Sequence, residues 1–187
     1  MAVTTPPGRA LAAACESVIR GWHQREPALE WDAVSAAFST GDGGLTNAVT
    51  GLCLINCFQW HLEDECRVRY ADTDRLAALK REIDESNRRR VRCIDAIDER
   101  LVRELNCAVD RGGTEAVVLI TPGNLLDRIS ILELKRYHAP RGSEAAAIVE
   151  EQLDDACLGF DRLIADLAAA KQSLKLYRTV KLYGPGD

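Results

Sequence analysis

Residues 45–67 read LTNAVTGLCLINCFQWHLEDECR, an apolar run that becomes ionic in its second half. No glycine or proline follows Gly51, so the stretch is predicted to form one helix. Its first half is apolar nearly all round, which is typical of a buried helix. The second half carries polar side chains close to one helix face, at Asn56, Trp60, Glu63, Asp64 and Arg67. A buried central helix with such a face is a candidate wall of a functional site.

The composition is that of a globular, helical protein. Of the 187 residues, 47% are hydrophobic, 28% are charged and only 5% are aromatic. The net charge of -5 argues against general nucleic-acid binding. The start of the chain lacks a cationic n-region, and no window reaches about 18 unbroken apolar residues, so neither a signal peptide nor a membrane span is expected. We expect one cytoplasmic domain over residues 1–187, with loose tails at 1–8 and 179–187.

The seven cysteines are odd in number, scattered, and contain no CxxC pair. This usage predicts free thiols in a reducing compartment. Cys53, Cys57 and His61 share one helix face, as metal ligands can. The alternative is that cysteines on a buried helix act as small hydrophobic residues.

Hydrophobic periodicity predicts an all-α fold, an elongated helical bundle with two long helices, a buried central helix and a shorter Pro/Gly-capped helix. The predicted helices cover residues 9–24, 28–38, 45–70, 72–106, 121–138 and 144–178. Residues 116–120, AVVLI, could form a short strand or an extended plug, but one isolated strand is not stable, so we predict a loop there. The apolar stripes of the two long helices are also compatible with a homodimer that packs through these stripes.

Two further segments break the apolar pattern with polar residues. Asn87, Arg90 and Asp98 interrupt the stripe of the helix over residues 72–106, either to fix its register or to face a site. At the start of the next helix, Thr121 is a predicted N-cap, and Gly123 in the first turn offers backbone N–H groups to an anion. The alternative for this start is an ordinary capped helix with i, i+4 ion pairs.

Catalytic motifs of common enzyme classes are absent from the sequence. There is no GxGxxG, P-loop, HExxH or GxSxG. His61 and Asp64 lie three residues apart and can reach one ion, but a di-metal bundle needs paired ligands from several helices. Asp127 and His138 are the only obvious additional ligands for such an ion, so no metal site is predicted. The sequence does not identify a cofactor.

Three blocks together resemble a bacterial family known only as domain of unknown function 4254. The blocks run from Asn56 through Trp60-His61-x-Glu63-Asp64 to Arg67, then Asp84-x-x-Asn87-x-x-Arg90, and then from Thr121-Pro122-Gly123 through Asp127-Arg128 and Lys135 to His138. The resemblance covers residues 45–138. It implies a helical domain and, more loosely, an association with the biosynthesis of cell-surface glycans or sugar conjugates, but no particular reaction.

Two functions from different classes are predicted. In the first, an enzyme or ligand-binding protein acts on an anionic, phosphorylated or sugar-linked small molecule. Acid, base or proton-shuttle roles then fall to His61, Glu63, Asp64, Asp127 and His138. Ligand binding falls to Asn56, Trp60, Arg67, Asn87, Arg90, Thr121, Gly123, Arg128 and Lys135. In the second, the chain is a non-catalytic adaptor for biosynthetic enzymes, and the same charges are buried ion pairs.

Overall fold

The protein is a helical bundle, as the sequence predicts. The computed structural model describes residues 5–38, 43–68, 73–105, 117–118, 120–174 and 176. The helices within these residues are α1 (Gly8–Arg25), α2 (Trp31–Ala37), α3 (Leu45–Val68), α4 (Thr73–Leu105), α5 (Pro122–His138) and α6 (Glu144–Ala168). Two short strands, β1 (Val117–Val118) and β2 (Ser173–Leu174), pair in parallel. The described helices include none that is long and apolar enough to cross a membrane.

Helix α3 lies at the centre of the bundle, where it packs against α1, α4 and α5. Its side chains from position 52 to 58 are all buried, and all of them except Asn56 are apolar side chains or thiols. The side chains of Leu52 and Phe58 are fully buried and join Ile19 of α1 and Ile129 of α5 in the main core. The packing of α3, α4 and α5 brings together the three blocks that interrupt the apolar pattern.

The C-terminal third differs from the prediction in two respects. Helix α6 ends at Ala168 rather than near position 178, and Ala170 has a positive φ of 55°. The chain then forms β2, which pairs with Val117 and Val118 in the segment predicted as a loop. Neither strand is stable without a partner. The two segments lie far apart in the sequence, so the local pattern of neither one predicts that they pair. Residues 116, 119 and 177–178 lie outside the described part of the chain.

The start of α5 is fixed by the predicted N-cap and by a carboxylate from α4. Thr121 Oγ1 accepts a hydrogen bond from the backbone N–H of Asn124 at 3.2 Å. The backbone N–H of Gly123 donates to Asp98 Oδ1 at 2.6 Å. A Cβ at Gly123 would meet the carbonyl oxygen of Ile94 at 2.7 Å, so glycine allows α4 to approach closely. The anion at this helix start is therefore the protein's own Asp98.

The described cysteines are free thiols, as predicted. Cys15, Cys53 and Cys57 are buried in the core, and Cys53 Sγ donates to the Cys15 carbonyl oxygen at 3.6 Å. Burial also raises the pKa of the Cys93 thiol to about 11, which makes it a poor nucleophile at neutral pH. Such burial is typical of cysteines that act as small hydrophobic residues. Cys107 lies outside the described residues.

Candidate functional site

A pocket of about 190 Å³ opens between α3, α4 and α5. Its lining residues are Asn56, Gln59, Trp60, Glu63, Arg67, Arg90, Ile131 and Leu134. Helix α3 contributes most of them, because its polar face begins at Asn56 and continues beyond its buried half. The polar face predicted from the sequence is thus one wall of a concave site.

A hydrogen-bonded network surrounds Asp127 beneath the pocket. Arg90 donates to both carboxylate oxygens, from Nε to Oδ1 at 2.8 Å and from Nη2 to Oδ2 at 2.5 Å. Asn56 Nδ2 donates to Asp127 Oδ1 at 3.0 Å and to Ser130 Oγ at 2.6 Å. The two-point pair raises the pKa of Arg90, which stays charged. It also fixes the guanidinium plane and leaves Nη1 outside the pair.

A second arginine lies at the mouth of the pocket. Arg67 Nη1 donates to Asp64 Oδ1 at 2.5 Å, and the two side chains are 74% and 46% exposed. Glu63, also exposed, lines the same mouth. Each of the two pocket arginines is thus held by a carboxylate, so the site offers oriented N–H donors rather than a large net positive charge.

Trp60 and Gln59 complete the polar wall of α3. The Gln59 amide oxygen is buried and, among the described residues, has no hydrogen-bond partner. A buried acceptor without a donor costs about 1–3 kcal/mol, and such atoms call for an explanation. The indole of Trp60 faces the pocket and also stacks on His138, with ring centroids 5.1 Å apart and an interplanar angle of 8°.

Behind Trp60, the three histidines of the chain meet. His23 of α1, His61 of α3 and His138 of α5 place one ring nitrogen each within 4.8 Å of the others. His61 stacks on Trp22 with ring centroids 5.1 Å apart. The Nε2 atoms of His23 and His61 are buried and lack a hydrogen-bond partner within the described residues. We call these three residues the histidine cluster.

The histidine cluster is uncharged at neutral pH. Burial, with the neighbouring His23 and His138, lowers the pKa of His61 to about 4, although Asp64 opposes the shift. Burial and His138 lower the pKa of His23, against the effect of Glu26. Burial also lowers the pKa of His138, again against Asp64. Each ring therefore keeps one unprotonated nitrogen at pH 7.

The structure brings together only part of the predicted site. Asn56, Trp60, Glu63, Arg67 and Arg90 line the pocket, and Asp127 lies beneath it. Of the remaining candidates for acid or base chemistry, Asp64 holds Arg67, while His61 and His138 belong to the histidine cluster.

The other predicted ligand-binding residues lie outside the pocket lining. Asn87 is half-buried on α4, one turn before Arg90. Thr121 and Gly123 are engaged by Asn124 and Asp98 at the start of α5. Arg128 and Lys135 are both exposed, so α5 contributes only Ile131 and Leu134 to the lining.

Sequence reasoning missed His23, Gln59 and Ser130. His23 lies near the end of α1, next to a core tryptophan, and its sequence neighbours include no second ligand. The only available signal was that the chain has three histidines, each near one edge of an amphipathic helix. Which helix ends meet depends on packing, and the local pattern does not encode it.

One known family matches the chain. Its model, described as "Protein of unknown function (DUF4254)", aligns with residues 46–176. That segment contains the whole pocket lining together with His61 and His138, while His23 lies before it. No curated protein and no solved structure matches the chain. The chain belongs to the DUF4254 family.

Proposed function

We propose that the protein binds a small sugar-linked molecule with an anionic group in the pocket between α3, α4 and α5. The pocket volume of about 190 Å³ is smaller than the ~300–1,000 Å³ typical of drug-sized ligands. The ligand is therefore a small molecule, or one end of a larger one. The proposal includes the bacterial sugar-conjugate pathway that the family resemblance implies and the cytoplasmic setting that the cysteine usage predicts.

The observation that carries the proposal is the pair of oriented arginines. Arg67 and Arg90 come from different helices, line one concave surface, and are each held by a carboxylate. Guanidinium groups fixed in this way bind phosphate or carboxylate oxygens through their remaining N–H groups. Because Asp64 and Asp127 already balance much of the charge, the proposed anion is a single group and not a polyanion.

Trp60 and Gln59 favour a sugar on the rest of the ligand. An indole face packs well against an apolar ring surface, and a free amide oxygen accepts a hydrogen bond from a hydroxyl. The Gln59 oxygen lacks a donor within the described residues, and a ligand hydroxyl would supply one. If the bound molecule reacts, Glu63 is the first candidate acid or base, since its carboxylate lines the pocket.

One observation supports the adaptor hypothesis. The side chains of Asn56, Asp127 and Arg90 form hydrogen bonds with one another within the protein. An adaptor also needs an apolar docking stripe. The large exposed apolar side chains of the described residues are Val68, Ile120, Tyr137, Ile148 and Leu158. They are spread over three helices and a connection, which favours the ligand-binding proposal.

Thermal-shift and calorimetric titrations with inorganic phosphate, hexose phosphates and nucleotide sugars test the proposal with a matched pair of variants. Arg67 and Arg88 are both exposed and both bond a carboxylate three residues earlier. Only Arg67 lines the pocket. We expect Arg67→Ala to weaken binding by about 10-fold or more, because a hydrogen bond to a charged group contributes about 1.5–3 kcal/mol.

Arg88→Ala is the control, and we expect it to bind as the wild type does. Both substitutions remove an exposed ion pair, so both should leave the melting temperature nearly unchanged. The proposal fails if none of the anionic compounds raises the melting temperature of the wild type. It fails equally if the two variants bind a stabilising compound with the same affinity.

A further inference from the structure

We propose that the histidine cluster, made of His23, His61 and His138, is a binding site for a divalent transition-metal ion of the Zn²⁺ class. The site is separate from the pocket of the proposed function and does not rest on it. Trp60 is the wall between the two, because its ring contacts His138 and also lines the pocket.

The first argument is convergence. The chain has three histidines, on three different helices, and all of them offer a ring nitrogen to one point. The nitrogens lie within 4.8 Å of one another. Bonds of about 2.0–2.1 Å to a tetrahedral Zn²⁺ place imidazole nitrogens about 3.4 Å apart. Ring rotations that draw the nitrogens together by about 1.4 Å or less complete three ligand positions.

The second argument is that the imidazole nitrogens lack partners. His23 Nε2 and His61 Nε2 are buried, and within the described residues neither has a hydrogen-bond partner. Buried polar atoms are nearly always paired, and an unpaired one costs about 1–3 kcal/mol. A cation bound through these two atoms would give both orphaned nitrogens a partner at once.

The third argument concerns charge. Among the described residues, the charged groups that act on the cluster are Glu26, which follows the end of α1, and Asp64 of α3, and both are carboxylates that favour a cation. Part of the Asp64 charge is offset by Arg67.

The ligand set indicates the class of ion. Imidazole nitrogen suits Zn²⁺, Co²⁺, Ni²⁺ and Cu²⁺, whereas Mg²⁺ and Ca²⁺ prefer oxygen ligands. Three protein ligands leave the fourth tetrahedral position to water or to another small ligand, as in catalytic rather than structural zinc sites.

The competing explanation is aromatic packing alone. The rings of Trp22, Trp60 and Tyr137 stack on the three imidazoles, with centroids 5.1 Å, 5.1 Å and 4.4 Å apart. Stacking explains the orientation of each ring, but it gives no partner to the buried Nε2 atoms. Metal titration separates the two explanations, because packed rings without a site bind no ion.

Chelator-treated full-length protein should be titrated with Zn²⁺ by calorimetry and with Co²⁺ by visible absorption. We expect one Zn²⁺ per chain and the visible bands of tetrahedral Co²⁺ without the near-ultraviolet charge-transfer band of a cobalt thiolate. That spectral distinction matters because the chain also contains seven cysteines. No saturable binding of either ion, or a thiolate band, overturns the proposal.

Variants then assign the ligands. His138 is exposed at the last turn of α5, so His138→Ala keeps the fold, and His23→Gln preserves most of the side-chain volume. Each should weaken Zn²⁺ binding by at least about 100-fold, more than the loss of an outer partner causes. Gln24→Ala, at the exposed neighbour of His23, is the matched control and should bind as the wild type does. Equal Zn²⁺ affinity in all four proteins overturns the proposal.

Discussion

Arg90 and Asp127 form the most consequential ion pair beneath the pocket. Their side chains are 27% and 11% exposed, and Asn56 donates a further hydrogen bond to the carboxylate. Breaking a buried pair from one side leaves a charge without compensation, at a cost of about 3–5 kcal/mol. Because Arg90 is partly exposed and Asn56 remains, we predict that Arg90→Ala lowers the free energy of unfolding by about 3 kcal/mol.

Urea denaturation measures this change, and Arg88→Ala is again the control. Arg88 lies two residues earlier on α4, is exposed, and within the described residues pairs with nearby Glu85 alone. Its removal should cost less than about 1 kcal/mol. Similar losses of unfolding free energy in the two variants would contradict a buried Arg90–Asp127 ion pair. They would show that Asp127 is in contact with water.

The histidine cluster gives stability a defined pH dependence. The pKa of His61 is about 4 in the folded protein, against an ordinary value of 6.5. Between these values the unfolded chain binds more protons, so the free energy of unfolding falls as the pH is lowered through the window. Above about pH 6.5 this contribution is fully present. We predict a lower melting temperature at pH 5 than at pH 7 in metal-free protein.

The variant His61→Gln isolates the histidine contribution. Burial raises the pKa of Asp98 and Glu133, and these carboxyls act in the opposite sense, because they lose stability as the pH rises. Both remain in the variant, so the difference between the two proteins reports His61. We expect a smaller change in melting temperature between pH 7 and pH 5 in His61→Gln. Parallel curves for the two proteins would refute the lowered pKa.

At the scale of elements, the contact between α4 and α5 explains the glycine that opens α5. The sequence alone allows Gly123 to admit either a phosphate or a neighbouring helix. In the structure the neighbour is α4, whose Ile94 carbonyl oxygen and Asp98 Oδ1 would lie 2.7 Å and 2.9 Å from a Cβ at this position. Gly123→Ala should therefore cost about 1–3 kcal/mol, as overpacking does.

Gly159 in α6 supplies the matched control for this substitution. It is also helical, but a Cβ there meets no atom of the described residues within 4 Å. Gly159→Ala should raise the free energy of unfolding by up to about 1 kcal/mol, because alanine favours helix. Equilibrium denaturation of both variants measures these two changes in the free energy of unfolding. A stabilised Gly123→Ala protein would show that α4 does not press on the start of α5.

Elements with strong local signals were predictable, and elements made by distant contacts were not. Thr121 and Pro122 fix the start of α5, and the structure confirms both positions. The end of α6 is the opposite case. After Ala168 the sequence continues with helix-favouring residues and no proline or glycine until position 184, so local propensity extends the helix. The parallel pairing of β1 with β2 overrides that propensity.

The same division applies to the candidate site. The sequence indicated Asn56, Arg90 and Asp127 as candidate site residues, and hydrogen bonds join the three side chains in the structure. The sequence did not distinguish Arg67 from Arg128 as the arginine that lines the pocket. Both lie on amphipathic helices, and only the packing of the helices determines which of them faces the pocket. His23 was not predicted as a site residue for the same reason.

At the scale of the whole molecule, the core extends beyond the segment that matches the family model. That segment begins at residue 46, yet α1 packs against α3, α5 and α6. Leu11, Cys15 and Ile19 of α1 are fully buried in the main core. Since α1 also carries His23, the N-terminal helix contributes both to stability and to the proposed metal site.

Two variants of α1 test this view of the core. Ile19 has no exposed surface, so Ile19→Ala should lower the free energy of unfolding by about 2–5 kcal/mol. Ser17, on the exposed face, donates to the Ala13 carbonyl oxygen of its own helix, so Ser17→Ala should change stability by about 0.5 kcal/mol or less. A chain that starts at residue 44 should lose the cooperative thermal transition, because the surfaces of α3 and α5 that α1 covers become exposed to water. If that shortened chain melts at the wild-type temperature, the core does not depend on α1. The Zn²⁺ stoichiometry of a shortened chain that still folds would then show whether two histidines suffice without His23.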